Sequence, residues 1–270
     1  MGKILNSIFA FILSANTYTI AYTESNIDEE KTSPVISSEI KEDISLEKLS
    51  PVKKTVAKTT STAWWTYPSD IKKATRDGDD LLVLVNKEYQ LPSTYVPTDL
   101  VSICSNVTNL RCVNNTNFLN RSILIPDLQE MINSATQDGI DLSVNSAYRS
   151  YATQQTTYNY WLSVNGGNVE ATDQISARPG HSQHQLGTTI DFSSAEINDG
   201  LGGTFASTQA SKWLADNAWK YGFVISYPQG YESVTGYSYE SWHYRYIGKA
   251  NAQDMINSGM VLELYLRSKN

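Results

Sequence analysis

The chain has very little histidine or cysteine. Three histidines and two cysteines occur in 270 residues, and every histidine lies beyond position 180. Cys104 and Cys112 have no histidine near them, so a local zinc cluster would lack two of its ligands. Basic charge is also short, with 21 Lys and Arg against 28 Asp and Glu and a net charge of −7. That balance argues against a protein that reads nucleic-acid phosphates with a basic face. There is no Gly-x-Ser-x-Gly elbow, so a serine hydrolase is poorly supported. After the first two dozen residues no apolar run is long enough to cross a bilayer. No repeat is visible, and the composition fits neither a coiled coil nor a collagen-like fibre. The chain does have apolar residues in quantity, 40% of the total, enough for a sizeable core and too many for a fully disordered chain. Seventeen tyrosines and six tryptophans lean toward a surface that handles polar, flexible ligands.

The N-terminal end differs from the rest. Residues Met1–Ala21 read MGKILNSIFAFILSANTYTIA, with Lys3 ahead of a short apolar run and small residues at Ala15 and Ala21. This is the pattern of a secretory signal, or of a signal anchor if it stays attached. No cysteine follows the run to take a lipid. Residues Tyr22–Thr62 are rich in Glu, Lys, Ser and Thr, have few aromatics and show no sustained period. Such a segment buries too little apolar area to offset its chain entropy, so a disordered linker is expected, with at most a short helix near Ile40–Leu49. An exported protein would allow Cys104 and Cys112 to form a small disulfide, and a reducing compartment would leave two thiols. Sequence alone leaves both open.

From Trp64 onward the composition is globular. The apolar run Asp80–Asn86 predicts a strand. Ile125–Thr136 has apolar residues at helical spacing (Ile125, Leu128, Met131, Ile132), with Pro126 suited to a first turn and Gly139 to a stop. A strand is expected over Leu142–Ala147 and a helix over Tyr151–Val164, stopped by Gly166 and Gly167. A strand follows over Thr188–Phe192 and a helix over Thr208–Tyr221. Strands over Phe223–Ser226 and His243–Ile247 and a helix over Ala250–Ser258, ended by Gly259, complete the pattern. Helices and strands mix without βαβ alternation. The expected class is therefore α+β, a small antiparallel sheet flanked by helices.

Three segments carry chemistry. In Ser182-Gln-His184-Gln-Leu-Gly187-Thr-Thr-Ile-Asp191, a loop histidine and a strand aspartate flank a glycine that permits a tight change of direction. Imidazole nitrogen and carboxylate oxygen are natural zinc ligands, although one His–Asp pair alone is weak support. In Glu240-Ser-Trp-His243, a regular strand would send Glu240 and His243 to opposite faces, so the chain should turn at Ser241-Trp242, with Trp242 as core. Together these supply two histidines and one aspartate, the ligand count of a catalytic zinc, and a spare glutamate as general base. In Tyr148-Arg149-Ser-Tyr-Ala-Thr-Gln154, at a strand-to-helix junction, Arg149 can grip a carboxylate through two parallel hydrogen bonds. An exposed salt bridge is its plainer alternative. His181, three residues before His184, is read as a loop residue near the pocket, because a fourth ligand would close the site.

The blocks Tyr148–Gln154, Ala177–Phe192 and Gly222–Gly248, with the opening run Leu81–Pro97, resemble the VanY-type D-alanyl-D-alanine carboxypeptidases. These are zinc peptidases related to VanX dipeptidases, L,D-carboxypeptidases and phage endopeptidases. The likeness covers about residues 81–248, inside a domain expected over 63–270. It implies zinc (Zn2+) on His184, Asp191 and His243, Glu240 as catalytic base, and Arg149, Gln154 and Ser182 on the substrate. It also implies that the opening run is the family's first strand. The sequence departs from the usual pattern at Gln183 (often Glu), Thr189 (often Ala), Ser241 (often Pro) and Ala147 (often Gly). None of these removes a ligand, the base or the arginine. The expected activity is removal of C-terminal D-Ala from peptidoglycan stem peptides by a secreted or membrane-tethered monomer facing the cell wall, with no nucleic-acid partner. An L,D-carboxypeptidase or an endopeptidase with the same zinc chemistry remains open, and so does a non-catalytic zinc-stabilised module, against which the spare Glu240 argues.

Overall fold

The computed structural model describes residues 66–270. The signal-like run, the linker and the helix expected near Ile40–Leu49 lie outside the described residues. Among those described, no helix is long and apolar enough to cross a membrane.

A five-stranded sheet forms the centre, built from β1 (Arg111–Cys112), β2 (Ser143–Ser146), β3 (Thr189–Ser193), β4 (Phe223–Ile225) and β5 (His243–Tyr246). The spatial order is β1-β2-β3-β5-β4. Every pairing is antiparallel except β1 with β2, so the expected antiparallel sheet carries one parallel pair at its edge. Two short pairs lie outside it, Lys72–Lys73 with Tyr89–Gln90 and Leu100–Ser102 with Leu119–Arg121.

Strand alternation divides the sheet into two faces. Val144, Ile190, Phe192, Phe223, Tyr244 and Tyr246 belong to the main apolar core. Helix α1 (Ile125–Gln137) adds Leu128, Met131, Ile132 and Ala135 to that core, on the predicted stripe and with Pro126 in its first turn. Burying each of its three larger side chains contributes about 1.5–3 kcal/mol. The opposite face presents Thr189, Asp191 and Ser193 of β3, and the polar chemistry gathers there.

Helix α2 (Tyr151–Val164) keeps its predicted bounds, because the Ser150 hydroxyl caps it by accepting from Thr153 N and the left-handed Gly166 and Gly167 end it. The helix expected over Thr208–Tyr221 is α3 (Gln209–Asn217) followed by a tighter turn at Ala218–Tyr221. Helix α4 (Lys249–Ser258) ends at left-handed Gly259. A further helix, α5 (Leu262–Lys269), lay outside the sequence expectations. Its Leu262, Tyr265 and Leu266 join Leu84, Ile247 and Met255 in a second cluster. That spacing was legible, but only eight residues carry it.

One predicted element is absent. Residues 81–85 form a turn and irregular extended chain rather than the expected first strand, and only Tyr89–Gln90 of that region pairs. Val83, Leu84 and Val85 are nonetheless buried. Their backbone is held partly by the Asp80 turn, with Val83 N donating to Asp80 O, and partly from far downstream. Arg245, fully buried on β5, donates through Nη2 to the carbonyls of Leu81 (2.9 Å) and Val83 (2.7 Å). A guanidinium thus satisfies carbonyls that would otherwise need a neighbouring strand. Cys104 and Cys112 are joined in a disulfide with Cα atoms 6.0 Å apart, tying the helical turn Ile103–Asn106 to β1.

Candidate metal centre and active site

Sheet register assembles the centre. Asp191 on β3 lies directly opposite His243 on β5 and, across a bulge in β2, opposite Ser146. The bulge at Asn145, whose Nδ2 donates to Asp199 O (2.6 Å), brings Ser146 into the row. Ser146, Asp191 and His243 therefore share one face across the three central strands.

His184 comes to this row from a short turn, Gln183–Leu186. The Ser182 hydroxyl starts the turn by accepting from His184 N at 3.3 Å. Gly187 ends it with φ of 66°, and a Cβ there would meet Arg121 Cγ and Leu100 Cδ2 at 3.0 Å each. The left-handed backbone and the crowding at Cβ both favour glycine there, as the sequence suggested. The Nδ1–H of His184 donates to Ala147 O at 2.6 Å, which turns Nε2 toward Asp191 Oδ2 at 3.2 Å.

The chain turns before β5 as expected, with His243 N donating to Glu240 O. That turn returns Glu240 to the cleft side, where Oε2 lies 3.3 Å from His243 Nδ1. Trp242 is only partly buried and serves both the core and the cleft wall.

His184, Asp191 and His243 are all buried, and each offers a ligand atom within 4.8 Å of the others. Asp191 Oδ1 lies 3.1 Å from His243 Nδ1, yet it is a buried oxygen without a hydrogen bond. A carboxylate oxygen left in that state is available to a cation. Burial would raise the pKa of Asp191, but His184 and His243 outweigh it and hold the carboxyl below its ordinary range. Burial drives His184 down to about 4. Burial also opposes charge on His243, but Asp191 and Glu240 overcome it and raise its pKa to about 9. For Glu240, desolvation dominates and lifts the pKa above its ordinary value. These two carboxylates create a pocket that favours positive charge, and two nitrogens and one oxygen fit a metal such as zinc.

Arg149 sits beside the cluster. Its Nη1 donates to Gln154 Oε1 (2.8 Å), its Nη2 donates to Ser146 Oγ (2.9 Å), and Nη2 is 4.0 Å from Asp191 Oδ2. Burial lowers its pKa, while Asp191 and Glu240 push the other way. Gln154 is buried and held at both ends of its amide, because its Nε2 also donates to Ala177 O at 2.6 Å. It therefore orients the guanidinium and also lines the cleft. Ser182, His184, Arg149, Gln154, Asp191, Glu240 and His243 all line one cleft of about 350 Å³.

His181 stays outside the cluster, with its Nδ1 2.7 Å from Asn86 O. Sequence reasoning did not assign Trp161 and Thr157, which line the cleft from the same face of α2 as Gln154. Their spacing at 154, 157 and 161 was a legible signal, but a mixed polar and aromatic stripe does not identify itself as a site. Tyr227, whose ring lies 4.7 Å from that of His243, was also missed. A wider hollow of about 940 Å³ lies beside the disulfide and shares no residue with the cleft. Its charged residues, Arg111 and Asp141, pair with each other at 2.5 Å.

Known proteins share this arrangement of chain. The VanY family, described as D-alanyl-D-alanine carboxypeptidase, matches residues 118–249. YodJ of Bacillus subtilis (strain 168), whose name marks its carboxypeptidase activity as unproven, is 36% identical over 207 residues, covering 74% of this chain and 73% of its own. The solved LdcB LD-carboxypeptidase is 34% identical with a TM-score of 0.65, covering 76% of this chain and 95% of its own. A variant of the vancomycin-resistance D,D-pentapeptidase VanY, solved in complex with Zn(II), is 28% identical with a TM-score of 0.56, covering 70% of this chain and 99% of its own. With this likeness over the same residues that build the cleft, the chain belongs to the VanY family of carboxypeptidases.

Proposed function

We propose that the protein is a zinc-dependent carboxypeptidase that removes C-terminal D-alanine from peptidoglycan stem peptides by cutting a D,D bond. The observation that carries this reading is the convergence of His184, Asp191 and His243, with ligand atoms within 4.8 Å, beside an unligated Glu240 in an open cleft. A structural metal site normally closes all four positions, and a buried glutamate beside three ligands has no structural need.

His184 Nε2, the Asp191 carboxylate and His243 Nδ1 would hold the ion. When bound, zinc supplies Lewis-acid polarisation of the scissile carbonyl and lowers the pKa of water. Glu240 accepts the proton of the attacking water and returns it to the leaving amine. Arg149, braced by Gln154 and Ser146, presents its guanidinium to the terminal carboxylate and so sets which bond faces Glu240. Ser182 adds a hydroxyl on the same wall.

A second reading has a specific observation behind it. The likeness to the LD-carboxypeptidase LdcB is higher in identity and TM-score than the likeness to the D,D-pentapeptidase. It favours cleavage of the L,D bond in a tetrapeptide stem. Digestion of defined pentapeptide and tetrapeptide muropeptides, read by mass spectrometry, tests both. Loss of one D-Ala from the pentapeptide alone supports the D,D reading. Loss from the tetrapeptide alone supports the L,D reading, and cleavage of neither overturns the assignment. We place the enzyme outside the cytoplasm, facing the wall, on the strength of the signal-like N-terminal run and a disulfide suited to an oxidising compartment.

A further inference from the structure

His243 faces the cluster with its Nδ1, which lies 3.1 Å from Asp191 and 3.3 Å from Glu240. A neutral imidazole carries one proton, so a ligating Nδ1 requires that proton on Nε2, and a buried N–H requires an acceptor. The acceptor present is Gln183 Oε1, 3.4 Å from His243 Nε2. That oxygen is itself held, because the Ser226 hydroxyl donates to it at 2.7 Å. Ser226 is tied to the same histidine through its backbone, with Ser226 N donating to His243 O at 3.1 Å. The backbone of Gln183 is pinned as well, by Thr189 Oγ1 donating to its carbonyl at 3.2 Å. Gln183, Ser226 and His243 are all buried, so none of these bonds competes with bulk water. Gln183 also immediately precedes His184. One short turn therefore carries one ligand and the brace of another.

We propose that Gln183 is a positioning residue of the metal centre: its amide oxygen, oriented by Ser226, receives the Nε2 proton of His243 and commits Nδ1 to the ion. The proposal rests on the zinc reading given above. It also concerns charge. An amide accepts the proton without adding a negative charge, whereas a carboxylate in its place would make the imidazole a stronger donor. The neutral brace thus sets the affinity of the site below what the same geometry could reach.

The test is the zinc dissociation constant of the purified full chain, measured by competition with a chromophoric chelator. Gln183→Leu, which removes the acceptor, should weaken zinc binding by about 10–100-fold. Gln183→Glu, which keeps an acceptor oxygen, should bind zinc at least as tightly as wild type. A merely structural role would weaken both variants alike, and that result overturns the proposal, as does unchanged affinity in Gln183→Leu. If Gln183→Glu fails to fold, Ser226→Ala replaces it; affinity between wild type and Gln183→Leu supports the brace, and affinity below Gln183→Leu overturns it. A wild-type chain that binds no zinc defeats the zinc reading itself and is distinguishable from either failure.

Discussion

Asp191 and His243 are direct cross-strand partners, and their facing atoms, Oδ1 and Nδ1, stand 3.1 Å apart without a hydrogen bond between them. Two central strands thus hold two of the proposed ligands at a separation set by sheet geometry, and of the three only His184 depends on a loop. Purified protein should carry one zinc per chain. His184→Ala, Asp191→Ala and His243→Ala should each lose it, as read by elemental analysis after dialysis. Full retention by any of the three would remove that residue from the ligand set.

As the proposed base, Glu240 offers a way to separate chemistry from metal binding. Glu240→Gln should keep zinc and the thermal melt of wild type, while turnover falls by about 10²–10⁴-fold because the proton carrier is gone. Near wild-type turnover in a zinc-loaded variant would end its role as base.

The proposed role of Arg149 is to read the substrate's C-terminal carboxylate. A stem peptide with a free C-terminal carboxylate should be cut, and its amidated counterpart cut poorly. Leaving a largely desolvated guanidinium without its partner costs up to about 3–5 kcal/mol, up to a few hundredfold or more in kcat/KM. Arg149→Lys should recover little, since an ammonium cannot make the paired contact. Equal cleavage of both peptides would point instead to an endopeptidase.

The Cys104–Cys112 bridge closes a short loop, so its contribution should be modest, on the order of 2–3 kcal/mol. Thiol titration of the unfolded, unreduced protein should find no free thiol. Cys104→Ser with Cys112→Ser should lower Tm without changing zinc content, since the bridge shares no residue with the cleft.

Glu88 links the two ends of the described chain, pairing with Lys72 at 2.7 Å and with Arg267 of α5 at 2.9 Å. The hydrogen bond from Lys72 and that from Arg267 hold its pKa below the ordinary 4.5. As pH falls, the unfolded chain protonates this carboxyl first. Its stabilisation is therefore whole at neutral pH and fades below about 4.5, through the folded value. Glu88→Gln should lower stability at pH 7 by up to about 1 kcal/mol, because the pair is partly exposed, and by much less at pH 3. An equal loss at both pH values would show that packing, not charge, is what the residue supplies.

Much of the site was legible in the sequence because its groups sit in short, contiguous segments. His184 and Asp191 are separated by a turn and half a strand, and Glu240 and His243 by a single turn. Local geometry, including the left-handed Gly187 and the reversal at Ser241-Trp242, could be read from residue types and strand periodicity. The helices Ile125–Gln137 and Tyr151–Val164 were legible for the same reason, since cap and stop residues act within one turn. Only the tertiary structure decided the rest, because it depends on partners far along the chain. Residues 81–85 are apolar enough for a strand, yet Arg245 takes the carbonyls of Leu81 and Val83, Asn270 takes that of Leu82, and these residues pair with no strand. Composition left Cys104 and Cys112 open, and the 6.0 Å approach of their Cα atoms brings them into a bond. Which nitrogen of each histidine faces the centre follows from Ala147 O behind His184 and Gln183 Oε1 behind His243. A motif specifies which groups meet, whereas the hydrogen bonds that orient them come from segments that only folding brings together.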